Sequence, residues 1–258
     1  MPDIIVLRPS PDWPRFDLCE SRAFLSGVGF DPDLVIDFAA VWDRTFTRDY
    51  RSVREAVKQL ALASYRAVAG ATLVPLAAFV PGSCAPGDRI LFADDDDWLS
   101  PGLFGALPAP GPETGPDGYR WGSLRIGLDF DPTAPGAPFC AARPLGEIVY
   151  TNNYALSGRG LVRAGVAGAG EHTAAQRTFG AADFQVEDCP LYLSCAVKHP
   201  CSTVAVRAQM AAGFREAPER FLERFQRALE EAVVPPEGSW VAPRLEALRT
   251  LFADIRSR

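Results

Sequence analysis

Apolar and polar positions along the chain fall into short continuous apolar runs and longer stretches of helical period. Ile4 to Leu7 reads as a buried strand closed by Pro9. Leu34, Val35, Phe38, Val41 and Trp42 recur at helical spacing behind Asp31 and Pro32, a cap and a first-turn proline. Ser52 and Glu55 form a capping-box pattern ahead of a face of Val53, Val57, Leu60, Ala61 and Val68, with Gly70 at the end. ATLVPLAAFV is strand or loop, since Pro75 suits only an edge. RILFA, introduced by Pro86, Gly87 and Asp88, is a clearer buried strand.

GALPAPGPETGPDG is then too long and irregular for a hairpin turn. GYRWGSLRIGLDF and GEIVYTNNYALSG read as strands separated by the loop DPTAPGAP, and Leu191 to Val206 as one or two strands around His199. Two amphipathic helices close the chain: one carries Phe221, Leu222, Phe225, Leu229 and Val233, the other Leu245, Leu248, Leu251, Phe252 and Ile255. Their polar faces mix both signs, which favours packing on the domain over membrane or partner binding. No internal repeat is visible.

Composition narrows the function classes. The 258 residues are 48% hydrophobic and 22% charged, enough to bury a large core. A net charge of −6 offers no basic footprint for nucleic acid. The four-residue run at the N-terminus is too short for a signal peptide and no membrane span is visible, so the expected location is cytoplasmic. In that setting the six cysteines are expected as reduced thiols. Cys189, Cys195, His199 and Cys201 lie close in sequence but lack a Cys-x-x-Cys pair, and small buried thiols are favoured over a zinc site.

The chemistry-bearing stretch is RILFADDDDWLSP, an apolar strand running into Asp94, Asp95, Asp96 and Asp97. In extended backbone Asp94 and Asp96 point one way, Asp95 and Asp97 the other. Two carboxylates held together repel unless a cation sits between them, and hard oxygen donors suit Mg²⁺ or Mn²⁺. Such an ion completes its shell with water and a substrate diphosphate, and ligands of open α/β sheets bind beyond the carboxyl ends of strands. A solvated acidic turn is the bland alternative.

LFADDDDWLSP resembles the Asp-x-Asp-Asp-Trp-Leu segment of nucleotide-sugar glycosyltransferases with the GT-A fold, particularly family-two-like and rhamnosyltransferase-like proteins. Alignment on Trp98 places the signature on Asp94, Asp96 and Asp97. The resemblance implies that these three bind the donor, with Asp96 as metal ligand, Asp94 its companion, and Asp95 at the variable position. FQVEDCPLYL resembles the Glu-Asp motif of inverting members, which makes Asp188 a candidate general base with Glu187 beside it; a turn before a strand is the other reading. PLYLSCAVKHPCST resembles the late strand whose histidine completes some GT-A metal sites, nominating His199, although a lone histidine is more often a hydrogen-bonded structural residue. His172 lies in a Gly/Ala-rich segment read as a loop near the acceptor. The family's opening Pro-Thr-Tyr-Asn is absent, and the best candidate for its nucleobase aspartate, Asp37, falls in helical period.

The expected fold is therefore α/β: a GT-A-like mixed, mostly parallel sheet flanked by helices over residues 1–210, with a C-terminal helical extension over 211–258. The expected function is metal-dependent, inverting transfer of a sugar from a nucleotide-diphosphate donor to a carbohydrate or small-molecule acceptor hydroxyl, using Mn²⁺ or Mg²⁺. The competing expectation is a non-catalytic GT-A-like domain that binds a nucleotide sugar or glycan, or serves as an assembly partner. A phosphotransfer enzyme is disfavoured because no Walker loop or Rossmann glycine triad is present.

Overall fold

The computed structural model describes residues 2–8, 48–108, 115–129, 137–142, 152–170, 172–200, 202 and 218–257. The helix expected over Asp31 to Trp42, together with Asp37 and Cys201, lies outside them. The strands are β1 (Asp3–Leu7), β2 (Ala71–Pro75), β3 (Arg89–Ala93), β4 (Asp97–Leu99), β5 (Gly118–Asp129), β6 (Ala137–Ala142), β7 (Tyr154–Ser157) and β8 (Val186–Lys198). The α-helices are α1 (Arg48–Arg66), the short α2 (Leu103–Ala106), α3 (Gly158–Gly170), α4 (His172–Phe179), α5 (Pro218–Glu231) and α6 (Ala242–Arg256).

Among the described residues one mixed sheet carries the strands in the order β2-β1-β3-β7-β5-β8-β4, with β6 paired to β5. β1 pairs in parallel with β2 and β3, and β5 with β8; β7 runs antiparallel between β3 and β5, and β4 and β6 are antiparallel to their partners. The expected mostly parallel sheet is thus only partly parallel. The physical reason lies in the connections. Parallel neighbours need long crossovers, such as α1 between β1 and β2, whereas β7 enters between β3 and β5 from the opposite direction.

The same connectivity bends the sheet. From Ala93 to Asp97 the chain spans at most about 14 Å. In a flat sheet β3 and β4 would stand about 19 Å apart, four strand spacings. The sheet therefore curls, bringing the ends of β3 and β8 toward each other.

Period-2 alternation sorts the side chains between two cores. On one face Ile5, Leu91 and Ala93 pack with Val53, Val57, Ala61 and Tyr65 of α1. Phe225 and Leu229 of α5 and Leu245, Leu248 and Phe252 of α6 belong to this same core. On the other face Val6, Ile90, Phe92, Tyr154 and Leu156 pack with Leu161 of α3 and with Ala175 and Phe179 of α4. Each fully buried large apolar side chain contributes about 1.5–3 kcal/mol.

Several local expectations are corrected. α1 is already helical at Arg48, a turn before the expected cap, so Ser52 and Glu55 lie inside it. The Gly/Ala-rich segment around His172 is helical, as α3 and α4, because alanine's helix propensity prevails; Gly165 breaks the run with φ 69. Glu187 and Asp188 sit within a strand rather than in a turn before one, since β8 begins at Val186. Val233 lies beyond α5 and is 79% exposed. Pro75 does close an edge strand, and Arg89–Ala93 is an interior strand with the aspartates at its carboxyl end. Among the described residues no helix is long and apolar enough to cross a membrane.

Candidate functional site

Ile90, Leu91, Phe92 and Ala93 are almost fully buried, so β3 can shed its chain only into the space beyond its last hydrogen bond. There the backbone turns at Asp95 and Asp96 and re-enters the sheet as β4, paired Asp97↔Ala196, Trp98↔Cys195 and Leu99↔Ser194. Trp98 and Leu99 are wholly buried, and this anchors the far end of the turn. α1 fixes the near side: the Tyr65 hydroxyl donates to the Asp94 carbonyl, and Ser64 Oγ accepts from the Leu99 amide at 3.1 Å.

This geometry overrides strand alternation. Asp94, Asp96 and Asp97 each bring a carboxylate oxygen within 4.8 Å of the other two. Asp95 is turned to Lys58 of α1, with Nζ 3.6 Å from Oδ2. Arg8, which continues β1 alongside Asp94, places Nη2 2.8 Å from Asp94 Oδ1. His199, just past β8 and 2% exposed, has Nε2 3.6 Å from Asp96 Oδ2, longer than a good hydrogen bond. Gly127 of β5, at φ 115, permits the close approach of the Lys198 carbonyl that sets His199 at this level; a β-carbon there would collide with it.

The carboxylates are electrostatically unequal. Burial opposes ionisation of Asp96, but the His199 contact, Lys198 and Arg54 outweigh it, and its pKa lies below the ordinary value. Asp97 is 1% exposed, and burial, then repulsion by Asp96 and Asp94, pushes its pKa well above the ordinary value despite Lys198 and the Asn152 amide. That amide reaches Asp97 Oδ2 at a long 3.4 Å, while Asp97 Oδ1 has no hydrogen-bond partner among the described residues. Burial and the four aspartates likewise raise the Tyr65 phenol.

Such a donor set fits a hard divalent cation. Oxygens that share one Mg²⁺ or Mn²⁺ at about 2.1 Å stand about 3 Å apart when adjacent and about 4.2 Å when opposite, so carboxylates within 4.8 Å of one another are near that spread and draw in to share the ion. An ion here also accounts for the unpartnered Asp97 oxygen.

Asp188 and Glu187 are not brought to this cluster. Arg120 of β5 grips Asp188 through two hydrogen bonds of 2.7 and 2.9 Å, and the Asp188 side chain is half exposed. Asp188 faces Arg120 and Ala196 faces Arg125, five residues further along β5. Asp188 therefore lies roughly 17 Å along the sheet from the position opposite Asp97. Glu187 is exposed beside it. His172 opens α4. Cys189 and Cys195 are buried thiols outside any disulfide, and the only metal-capable cluster among the described residues is the aspartate one. A cleft of about 390 Å³ between α5 and α6 is remote from this chemistry; its Arg249 donates to the Leu229 and Ala232 carbonyls and so closes the α5 terminus.

Arg8, Arg54, Lys58, Tyr65, Asn152 and Lys198 escaped the sequence reading. The register Leu7↔Ala93 is what sets Arg8 beside Asp94, and only the pairing of two strands distant in sequence reveals it. No protein-family model matches the chain, and no curated protein matches it.

Proposed function

We infer that the chain is a GT-A-type glycosyltransferase that moves a sugar from a nucleotide-diphosphate donor to a carbohydrate or small-molecule hydroxyl, with Mn²⁺ or Mg²⁺ as cofactor. The observation that carries this reading is the convergence of Asp94, Asp96 and Asp97 beyond the carboxyl end of an interior strand, locked by the buried Trp98–Leu99. Asp96 and Asp94 would hold the ion, with Asp97 completing the cluster and His199 beside Asp96. When bound, the cation neutralises charge on a departing diphosphate. Arg8 and Lys198 supply positive charge at the same place, suited to the remaining phosphate oxygens.

An inverting reaction also needs a base for the acceptor hydroxyl. Asp188 has the motif for it, but its grip by Arg120 and its distance from the cluster favour a second reading, a GT-A-like domain that binds a nucleotide sugar or glycan without transferring it.

Calorimetry with a panel of nucleoside diphosphates, with and without Mn²⁺, tests the shared part of both readings. Binding that requires Mn²⁺ and is abolished by Asp96→Ala supports the site; equal affinity without metal removes it. Transfer then separates the two. As the base, Asp188→Asn keeps donor binding and loses about 10²-fold or more in rate. Transfer at the parental rate relieves Asp188 of the role, and absence of any transfer by the parent favours the binding domain.

A further inference from the structure

Asn152 is buried to 0% exposure directly before β7, and neither its side-chain oxygen nor its side-chain nitrogen has a hydrogen-bond partner among the described residues. A buried amide with both ends unsatisfied is costly and calls for a ligand. Two observations say where that ligand sits. The Asn152 main-chain N–H is 3.4 Å from Asp97 Oδ2. The residue lies just ahead of β7, whose Leu156 and Ser157 pair with Ile90 and Arg89 of β3, the strand that leads into the aspartates. The neighbouring Asn153 contrasts with it: its amide nitrogen donates to the Trp121 carbonyl at 3.1 Å, an internal tie between β5 and the entry to β7.

We propose that Asn152 Oδ1 is a neutral oxygen ligand of a divalent cation held by Asp94, Asp96 and Asp97, leaving Nδ2 to donate to a water or oxyanion on the same ion. This rests on the metal-site reading given above. A fourth protein oxygen of zero charge suits the place, because Asp97 already suffers from repulsion by its neighbours and a further carboxylate would aggravate it.

The test is Mn²⁺ titration of the full chain, followed by electron paramagnetic resonance, for the parent and for Asn152→Leu, with melting temperatures measured in chelator. Leucine keeps the approximate size and removes the unsatisfied amide. The expected result is Mn²⁺ affinity weaker by about tenfold or more, with a metal-free melting temperature that is unchanged or raised. Unchanged affinity in Asn152→Leu alongside a lower metal-free melting temperature would make Asn152 a structural residue and overturn the proposal alone. Failure of the parent itself to bind Mn²⁺ overturns the metal site and the proposal together. A second measurement uses the parent only: Mg²⁺ should shift the Asn152 side-chain NH₂ resonances with the same saturation as binding. Resonances that stay in place while Mg²⁺ binds overturn the proposal even where Asn152→Leu does not fold.

Discussion

Two buried aspartates stand at the two ends of β8, and the chain treats them in opposite ways. Asp117, next to Gln185 at the start, is fully buried and fully answered. Arg159 Nε lies 2.9 Å from Oδ1, and Arg163 Nη1 and the Gln185 amide lie 2.5 and 2.9 Å from Oδ2. Asp97, opposite Ala196 near the end, is equally buried but receives one long hydrogen bond. One of its oxygens has no partner among the described residues, and two more carboxylates crowd it. The first aspartate holds the fold together. The second is held by the fold against its own electrostatics, which is how a site differs from a structural ion pair.

Substitutions sharpen this contrast. The largest effect belongs to Asp117→Ala, which leaves two guanidinium groups and an amide without their acceptor. Breaking a buried pair costs about 3–5 kcal/mol. Both arginines are about one-third exposed, so water screens part of the loss and about 2–4 kcal/mol remains. Calorimetric melting should fall by roughly 5–12 °C, with Mn²⁺ affinity unaltered. A loss no greater than that of an exposed substitution would erase the distinction.

Asp97→Asn should act in the opposite sense, stabilising the metal-free protein at neutral pH by about 1–2 kcal/mol, because the amide replaces a buried carboxyl whose ionisation the fold opposes. The sign follows from linkage. The folded-state pKa of Asp97 is raised, so above the unfolded value, near 3.9, the native state retains a proton that the unfolded chain has lost. The parent therefore loses stability as pH rises from about 4 toward the folded pKa, and the advantage of Asp97→Asn should fade on acidification to about pH 4. Urea unfolding at several pH values checks it; a destabilised Asp97→Asn at pH 7 would contradict the account.

The smallest effects are expected at Asp188 and Asp95. Asp188→Asn breaks an ion pair whose carboxylate is half exposed, and Asp95→Ala one whose lysine is more than one-third exposed. Each should change stability by less than about 1 kcal/mol, and neither should alter Mn²⁺ affinity by more than about twofold. A large loss of metal binding in Asp95→Ala would mean that the turn presents a different carboxylate to the ion.

The sequence made β3 and its acidic tip legible because a buried strand is a continuous apolar run and four successive carboxylates mark where that run ends. Which aspartates converge was not legible. Alternation would pair Asp94 with Asp96 alone, whereas the turn at Asp95–Asp96 swings Asp97 in and hands Asp95 to Lys58. Asp188 illustrates the same limit: its neighbour Arg120 is 68 positions away and is met only through the β5–β8 register. Asn152 carries no motif, and its interest comes entirely from a buried side-chain amide that has no hydrogen-bond partner among the described residues. Helix identity was easier at the C-terminus, where α5 and α6 follow a clean apolar period, than around His172, where alanine and glycine give no face to read.

The central claim, that Asp94, Asp96 and Asp97 form one cation site, is met most directly by Mn²⁺ calorimetry on the parent and on Asp96→Ala. The account predicts one Mn²⁺ per chain in the parent and at least tenfold weaker binding in the variant. No binding by the parent, or equal binding by both, would contradict it.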